Sequence, residues 1–154
     1  MWKGRLRHIH ITEQGSAAME ELQTANLIAG VGIEGDRYAT GRGHYSDKPD
    51  IREVTLIEIE TLEALARDHK VELTPQEHRR NLTTEGVPLN HLVGKRFKVG
   101  DVTLEGGRLN TPCAYLDGLL EKRVCTLLWH RSGLNCRIID GGEIKPGDEI
   151  APAD

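Results

Sequence analysis

Polar and apolar residues alternate in Arg5-Leu6-Arg7-His8-Ile9-His10-Ile11, a pattern that reads as a β-strand. A turn follows at Gln14-Gly15-Ser16. Met19–Ala29 carries Leu22, Ala25, Leu27 and Ile28 at weak periodicity, and its second half reads as a strand. Gly30, Gly32 and Gly35 then cluster, and from Gly35 to Asp50 no apolar period survives. An unpatterned stretch of that length is a functional loop or a disordered one. Glu53–Ile57 reads as a buried strand running into a helix over Glu58–His69. Ile59, Leu62, Leu65 and Ala66 form its inner stripe, with Glu60, Glu63 and Arg67 outside.

Thr74-Pro75-Gln76-Glu77 is a capping box with proline at the first helical position, predicting one helical turn before a strand at Arg80–Thr84. Leu89–Val93 is a short connector. Lys95–Val99 and Val102–Glu105 flank Gly100-Asp101, a hairpin signal. Helices are predicted over Ala114–Leu120 and Val124–His130. Strands are predicted over Asn135–Ile139, Glu143–Lys145 and Glu149–Ala151, with turns at Gly141-Gly142 and Pro146-Gly147-Asp148. Roughly seven short strands with sharp turns and two or three helices predict a mainly β, α+β fold. The expected architecture is a closed or nearly closed β-barrel with helices on one side.

Composition narrows the function classes. A length of 154 residues fits a single domain able to bury a core without staples. The net charge of −4 lacks the basic excess of a general nucleic-acid binder, and 4% aromatics leave little for base stacking. No run of 18 apolar residues exists, so no membrane partner is expected. The basic start, Met1 to Arg7, has no apolar run behind it and does not read as a secretory signal. Three cysteines, Cys113, Cys125 and Cys136, without a Cys-x-x-Cys pair, predict reduced thiols, a cytoplasmic setting and no cysteine zinc site.

Cys113 is the sharpest candidate. It follows Pro112 and opens a predicted helix, whose N-terminus favours a thiolate, and Arg108 lies nearby. A thiolate there can attack an electrophile, carry sulfur as a persulfide or ligate a soft metal. The other reading is a small apolar residue at a turn. Cys125, beside Val124, Leu127 and Leu128, and Cys136, beside Leu134 and Ile138, read as packing residues. Gly35-Asp36-Arg37 opens the long loop, where glycine amides with Arg37, Arg42, His44 and Lys48 can meet an anion. It is neither a Walker A motif nor a dinucleotide-binding fingerprint. Arg79-Arg80-Asn81 can clamp a phosphate or carboxylate, or can be a surface pair bonded to Glu77 or Glu85. His130-Arg131 before Ser132-Gly133 suits a helix C-terminus without any catalysis. His8 and His10 lack an evident third metal ligand and read as structural. No Ser-His-Asp or paired-carboxylate pattern stands out.

The ordered set of motifs resembles the MOSC domain, the C-terminal domain of molybdenum-cofactor sulfurases, which also occurs alone in small bacterial proteins. The segments are Gly32-Ile33-Glu34-Gly35-Asp36-Arg37-Tyr38, Arg52-Glu53-Val54-Thr55-Leu56-Ile57, Arg79-Arg80-Asn81-Leu82-Thr83-Thr84-Glu85-Gly86-Val87 and Leu92-Val93-Gly94-Lys95-Arg96-Phe97. Pro112-Cys113, His130-Arg131-Ser132-Gly133-Leu134 and Gly141-Gly142-Glu143-Ile144 continue the match over nearly the whole chain. The resemblance implies a β-barrel that binds a molybdenum cofactor (molybdopterin), or delivers sulfur to one.

It makes Cys113 the sulfur carrier or the metal contact. It brings Arg37, Arg79 and Arg80, of the Gly-Asp-Arg and Arg-Arg-Asn segments, to the pterin phosphate. With the loop reading above, Gly35, Asp36, His44 and Asn81 are expected to complete the anionic-cofactor site, and His130 and Arg131 to close the pocket and tune the thiolate. A sulfurtransferase or a component of a molybdenum-cofactor-dependent reductase, acting on N-hydroxylated compounds, is the implied activity. A non-catalytic anion- or cofactor-binding module is the alternative. The family also has an association with pyridoxal phosphate. This sequence holds no pyridoxal-phosphate desulfurase segment, so a cysteine desulfurase or other sulfur donor is implied, with a molybdoenzyme or reductase as acceptor. Relatives often carry a second cysteine where this chain has Asn110, which rules out a two-cysteine relay at that position.

Overall fold

A computed structural model describes residues 1–153. Among the described residues eleven strands are formed: β1 (Gly4–Ile11), β2 (Glu20–Leu22), β3 (Ala25–Ile28), β4 (Gly32–Ile33), β5 (Val54–Glu58), β6 (Leu82–Glu85), β7 (Arg96–Val99), β8 (Val102–Leu109), β9 (Leu134–Asp140), β10 (Gly142–Ile144) and β11 (Glu149–Pro152). The helices are α1 (Arg37–Thr40), α2 (Ile59–His69) and α3 (Ala114–Leu120). Seven strands close a barrel in the order β11-β7-β8-β9-β5-β6-β1, sealed by pairing of β1 with β11. The barrel is mixed. Only the β5–β6 pair is parallel among the described strand pairs, and α2 supplies the crossover that a parallel pair requires. β2 extends from β1, while β3, β4 and β10 form a small second sheet.

A bulge sets which residues of β1 face inward. Leu6 pairs with Thr84 and His8 with Thr83, leaving Arg7 as an extra residue. Strict alternation would put Leu6 and Ile9 on opposite faces; the insertion lets both reach the interior, where both are fully buried. Arg7 is free to turn outward to Glu85 at 2.8 Å. Leu6, Ile9, Leu56, Leu82, Phe97, Leu104 and Leu134 fill the barrel, each worth about 2 kcal/mol of burial. A second cluster, Ile57, Leu62, Leu65, Leu73, Leu116, Val124 and Leu128, lies outside it. β5 serves both clusters because its successive side chains face opposite ways: Val54 and Leu56 inward, Ile57 toward α2. α2 and α3 therefore share one flank.

Three predicted elements differ. The inner face of α2 is Thr61, Leu62, Ala64 and Leu65, while Ala66 is exposed. At 100° per residue, a stripe centred on Leu62 and Leu65 carries position 66 out to solvent. The second predicted helix, Val124–His130, is only a 3-10 turn at Thr126–Leu128. Its start is pinned by the amides of Val124 and Cys125, each donating to Asp117 Oδ1 at 2.8 Å. Its end is set by a left-handed His130, φ 66°. The Gly35–Asp50 stretch is a structured loop. Asp36, fully buried, caps α1 by accepting from the Tyr38 amide at 3.3 Å and also accepts from the Thr12 amide at 3.3 Å.

Candidate functional site

The ordered loop, the Arg79-Arg80 segment and the link between β8 and α3 enclose a cavity of about 310 Å³. β8 runs out of the barrel into Asn110, Thr111 and Pro112, and Cys113 takes the extended N-cap position of α3 with φ −142°. The thiol is half-buried and does not cap the helix. Its Sγ lies 3.0 Å from the hydroxyl of Tyr45, which the loop brings across the cavity. Burial first, and then the bond to Cys113, push the Tyr45 phenol up to about 12. Tyr45 therefore keeps its proton at neutral pH and donates it to the sulfur whenever the sulfur is ionised.

Charge in the cavity runs opposite to charge on the chain. Arg37, Lys48, Arg52, Arg79, Arg80 and Arg108 line it, with Asp50 the one carboxylate in the lining, although the chain carries −4 overall. Some of these cations are compensated. Asp50 accepts from Arg52 Nη2 at 3.1 Å and from Arg108 Nε at 2.8 Å. The Arg108 bond holds the Asp50 carboxyl down at about 2. Arg37 pairs with buried Asp36 at 3.0 Å.

Arg79 and Arg80 form no ion pair among the described residues. Arg79 donates to the Ala17 carbonyl at 2.6 Å. Arg80 donates to four neutral acceptors: the Ser132 carbonyl at 3.0 Å, the Ser132 hydroxyl at 2.7 Å, the His78 carbonyl at 2.9 Å and Asn110 Oδ1 at 2.7 Å. Burial pulls the Arg80 guanidinium down to about 10, which leaves it cationic at neutral pH. Burial and then Arg37 pull Arg79 down as well. Two adjacent guanidinium groups thus keep their charge for whatever enters the cavity.

The predicted residues divide in two groups. Cys113, Arg37, His44, Arg79 and Arg80 line the cavity, and so does Lys48. His44 stacks on Tyr115 with ring centroids 3.9 Å apart and a 9° interplanar angle. Gly35 is a left-handed turn with φ 87°, Asp36 lies beneath Arg37, and Arg42 is exposed outside the lining. Asn81 is fully buried and consumed structurally. Its Oδ1 accepts from the Thr55 amide at 3.1 Å and its Nδ2 donates to the His10 carbonyl at 3.1 Å.

His130 and Arg131 stay outside the lining. His130 is exposed, its carbonyl accepting from Asn90 at 2.6 Å, and Arg131 donates to the Leu127 carbonyl at 2.8 Å. The part of that motif that reaches the site is Ser132, through Arg80. Arg108 turns to Asp50. Cys136 is in the barrel core, where burial raises its thiol, whereas Cys125 is only partly buried. His10 is buried with an unpartnered Nδ1, and its Nε2 is 3.4 Å from Glu21. Among the described residues no three His, Cys, Asp or Glu side chains converge as a metal cage.

The tyrosines are not among the site residues predicted from the sequence. All three in the chain, Tyr38, Tyr45 and Tyr115, line the cavity. Their concentration around the glycine-rich loop and the cysteine, in a chain so poor in aromatics, was the signal that could have found them. Asn110, noted only for what it lacks, holds Arg80.

A closed mixed barrel with a single thiol at a cationic, tyrosine-lined cavity defines a class of small cysteine-bearing barrel domains. The MOSC domain family model matches residues 40–151, and the chain belongs to the MOSC family. The fold is similar to the YuaD protein from Bacillus subtilis, with TM-score 0.81, 19% identity and 97% of each chain covered. It is also similar to YiiM from Geobacillus stearothermophilus, with TM-score 0.76, 12% identity, and 98% of this chain and 75% of that one covered. YiiM from Escherichia coli aligns with TM-score 0.69 at 18% identity, covering 97% and 70%. No curated protein matches the sequence. No helix among the described residues is long and apolar enough to cross a membrane.

Proposed function

We propose that the cavity binds an anionic pterin cofactor of the molybdenum type, with Cys113 as the protein's sulfur contact to its reactive centre. One observation carries this reading. The only thiol in the cavity lining faces a protonated Tyr45 at 3.0 Å, inside a lining of six cationic side chains and one carboxylate. The donor set fits such a group: a single soft sulfur, uncompensated guanidinium charge for a phosphate, and stacked rings beside a flat heterocycle. When bound, the group supplies two-electron redox chemistry. Arg79 and Arg80, with Lys48, hold the anionic end. The His44–Tyr115 stack and Tyr38 wall the planar part. Tyr45 donates to the Cys113 sulfur and keeps it oriented into the cavity. A reductase acting on N-hydroxylated compounds is the activity this arrangement suits, with a redox protein as partner.

A sulfur-carrier role uses the same thiol. Cys113 thiolate attacks the outer sulfur of a donor persulfide, a new S–S bond forms, and the donor leaves as its thiolate. No net electrons are gained or lost. Half-burial leaves the sulfur reachable for that exchange. The test is metal, phosphorus and oxidised-pterin analysis of protein purified from its native host, beside Cys113→Ser. The cofactor reading expects molybdenum and pterin in near-equal amounts in the native chain, and metal lost in the variant. Absence of both groups from the native protein, with a one-sulfur mass gain on Cys113 after a sulfane donor, would favour the carrier role instead. Absence of all three would refute both.

A further inference from the structure

Consecutive residues of an extended chain point to opposite sides, yet Arg79 and Arg80 both line the same cavity. A kink makes this possible: Arg79 takes φ 68°, a left-handed conformation uncommon for any residue but glycine. His78, fully buried and outside the cavity lining, closes that kink. Its Nδ1 accepts the Arg80 amide at 2.9 Å, and its carbonyl accepts Arg80 Nη1 at 2.9 Å. An Nδ1 that accepts must carry its lone pair. The ring proton is therefore on Nε2, which donates to Thr83 Oγ1 at 2.8 Å.

We infer that His78 is a positioning residue: as a neutral imidazole it latches the kink that turns Arg79 and Arg80 onto one anion, and a proton on its Nδ1 would release them. The inference rests on the anion-binding reading of the cavity. A protonated Nδ1 would face the Arg80 N–H with a hydrogen of its own, so the bond cannot survive. The charged and titratable groups around the ring are Arg80 on its own segment and, from β1, His10, edge-on at 6.5 Å, and His8. Both β1 histidines lie 3.4 Å from Glu21 of β2. Burial first, then Arg80, His10 and His8, keep His78 well below the ordinary histidine range.

Sulfate is the probe, because it remains a dianion from neutral to mildly acid pH. Two variants separate the roles. His78→Asn puts an amide oxygen where Nδ1 accepts, without a titrating group. His78→Leu removes the acceptor and leaves the Arg80 amide unsatisfied. At neutral pH we expect the wild type and His78→Asn to bind sulfate alike and His78→Leu to bind about tenfold more weakly. Because His78 is held down by burial, sulfate affinity should drop in the wild type more than in His78→Asn only as pH falls well below the ordinary histidine value, with circular dichroism marking the range in which both stay folded. His10 is present in both proteins, so the difference between their profiles belongs to His78.

Coincident acid profiles for wild type and His78→Asn would overturn the inference, even if His78→Leu fails to fold. So would His78→Leu binding sulfate as tightly as the wild type. Those results leave the anion site standing. A wild type that binds no sulfate at neutral pH would sink the anion-site reading and this inference together.

Discussion

Removing the side chain of Asn110 should loosen the site from beneath. Asn110 Oδ1 accepts from Arg80 Nη2 at 2.7 Å and from the Ser132 hydroxyl at 3.2 Å, and its Nδ2 donates to Asn135 Oδ1 at 2.9 Å. The bond to the guanidinium is charge-assisted and worth about 2 kcal/mol, and the two neutral bonds about 1 kcal/mol each at most. Water entering from the cavity restores part of this, so Asn110→Ala should cost about 2–3 kcal/mol. For a chain of this size that lowers the thermal midpoint by roughly 4–12 °C. Urea unfolding should show a lower midpoint with an unchanged slope. The companion Asn110→Asp keeps the acceptor for Arg80 and adds a negative charge beside it. The new ion pair with Arg80 offsets the bond to Asn135 Oδ1 that the carboxylate can no longer donate, so stability should fall less than in Asn110→Ala, while affinity for an anion falls because the guanidinium is compensated. An Asn110→Ala loss below about 0.5 kcal/mol, the range of an ordinary surface change, would refute the claim that this network holds Arg80.

Tyr45→Phe keeps the ring but removes the hydroxyl at 3.0 Å from the sulfur; iodoacetamide should then alkylate Cys113 several-fold more slowly at neutral pH, read by mass spectrometry on the Cys113 peptide. Gly133→Ala should abolish stable folding, because a Cβ there would lie 2.1 Å from the Leu56 carbonyl oxygen at φ 109°; soluble expression and circular dichroism decide it. Burial keeps His10 and His78 below the ordinary value of 6.5 in the folded chain, so the unfolded chain binds more protons in mild acid. Stability should therefore hold above pH 6.5 and fall as pH drops below it, with a smaller fall in His78→Asn; thermal midpoints across this range check the sign.

The alternation in β1, the Gly100-Asp101 hairpin and the capping box at Thr74 were legible because each is a local rule acting over a few residues. So was the barrel, since many short strands with turn residues between them leave few ways to bury a core. Cys113 was legible for the same reason: proline before it and a helix after it are neighbours in sequence. The bulge at Arg7 was not, because it depends on which Thr of β6 each residue meets across the gap between strands. The fate of the arginines was not either. Arg108 and Arg80 look alike as text, yet one is compensated by Asp50, more than fifty residues away, and the other by no carboxylate among the described residues. His130 and Arg131 looked like site residues, but the left-handed turn that ends the 3-10 segment directs only Ser132 to Arg80.

The sequence by itself determined most of the strands, the turns, the family and the place of Cys113 at a helix start, since hydrophobic period and turn chemistry are written locally. Only the tertiary structure decided which cations keep their charge, which tyrosine meets the sulfur and how two neighbouring arginines come to face one cavity. Those depend on pairings across the barrel, where the partner of each group is fixed by the closed path of the strands and not by its neighbours in the chain.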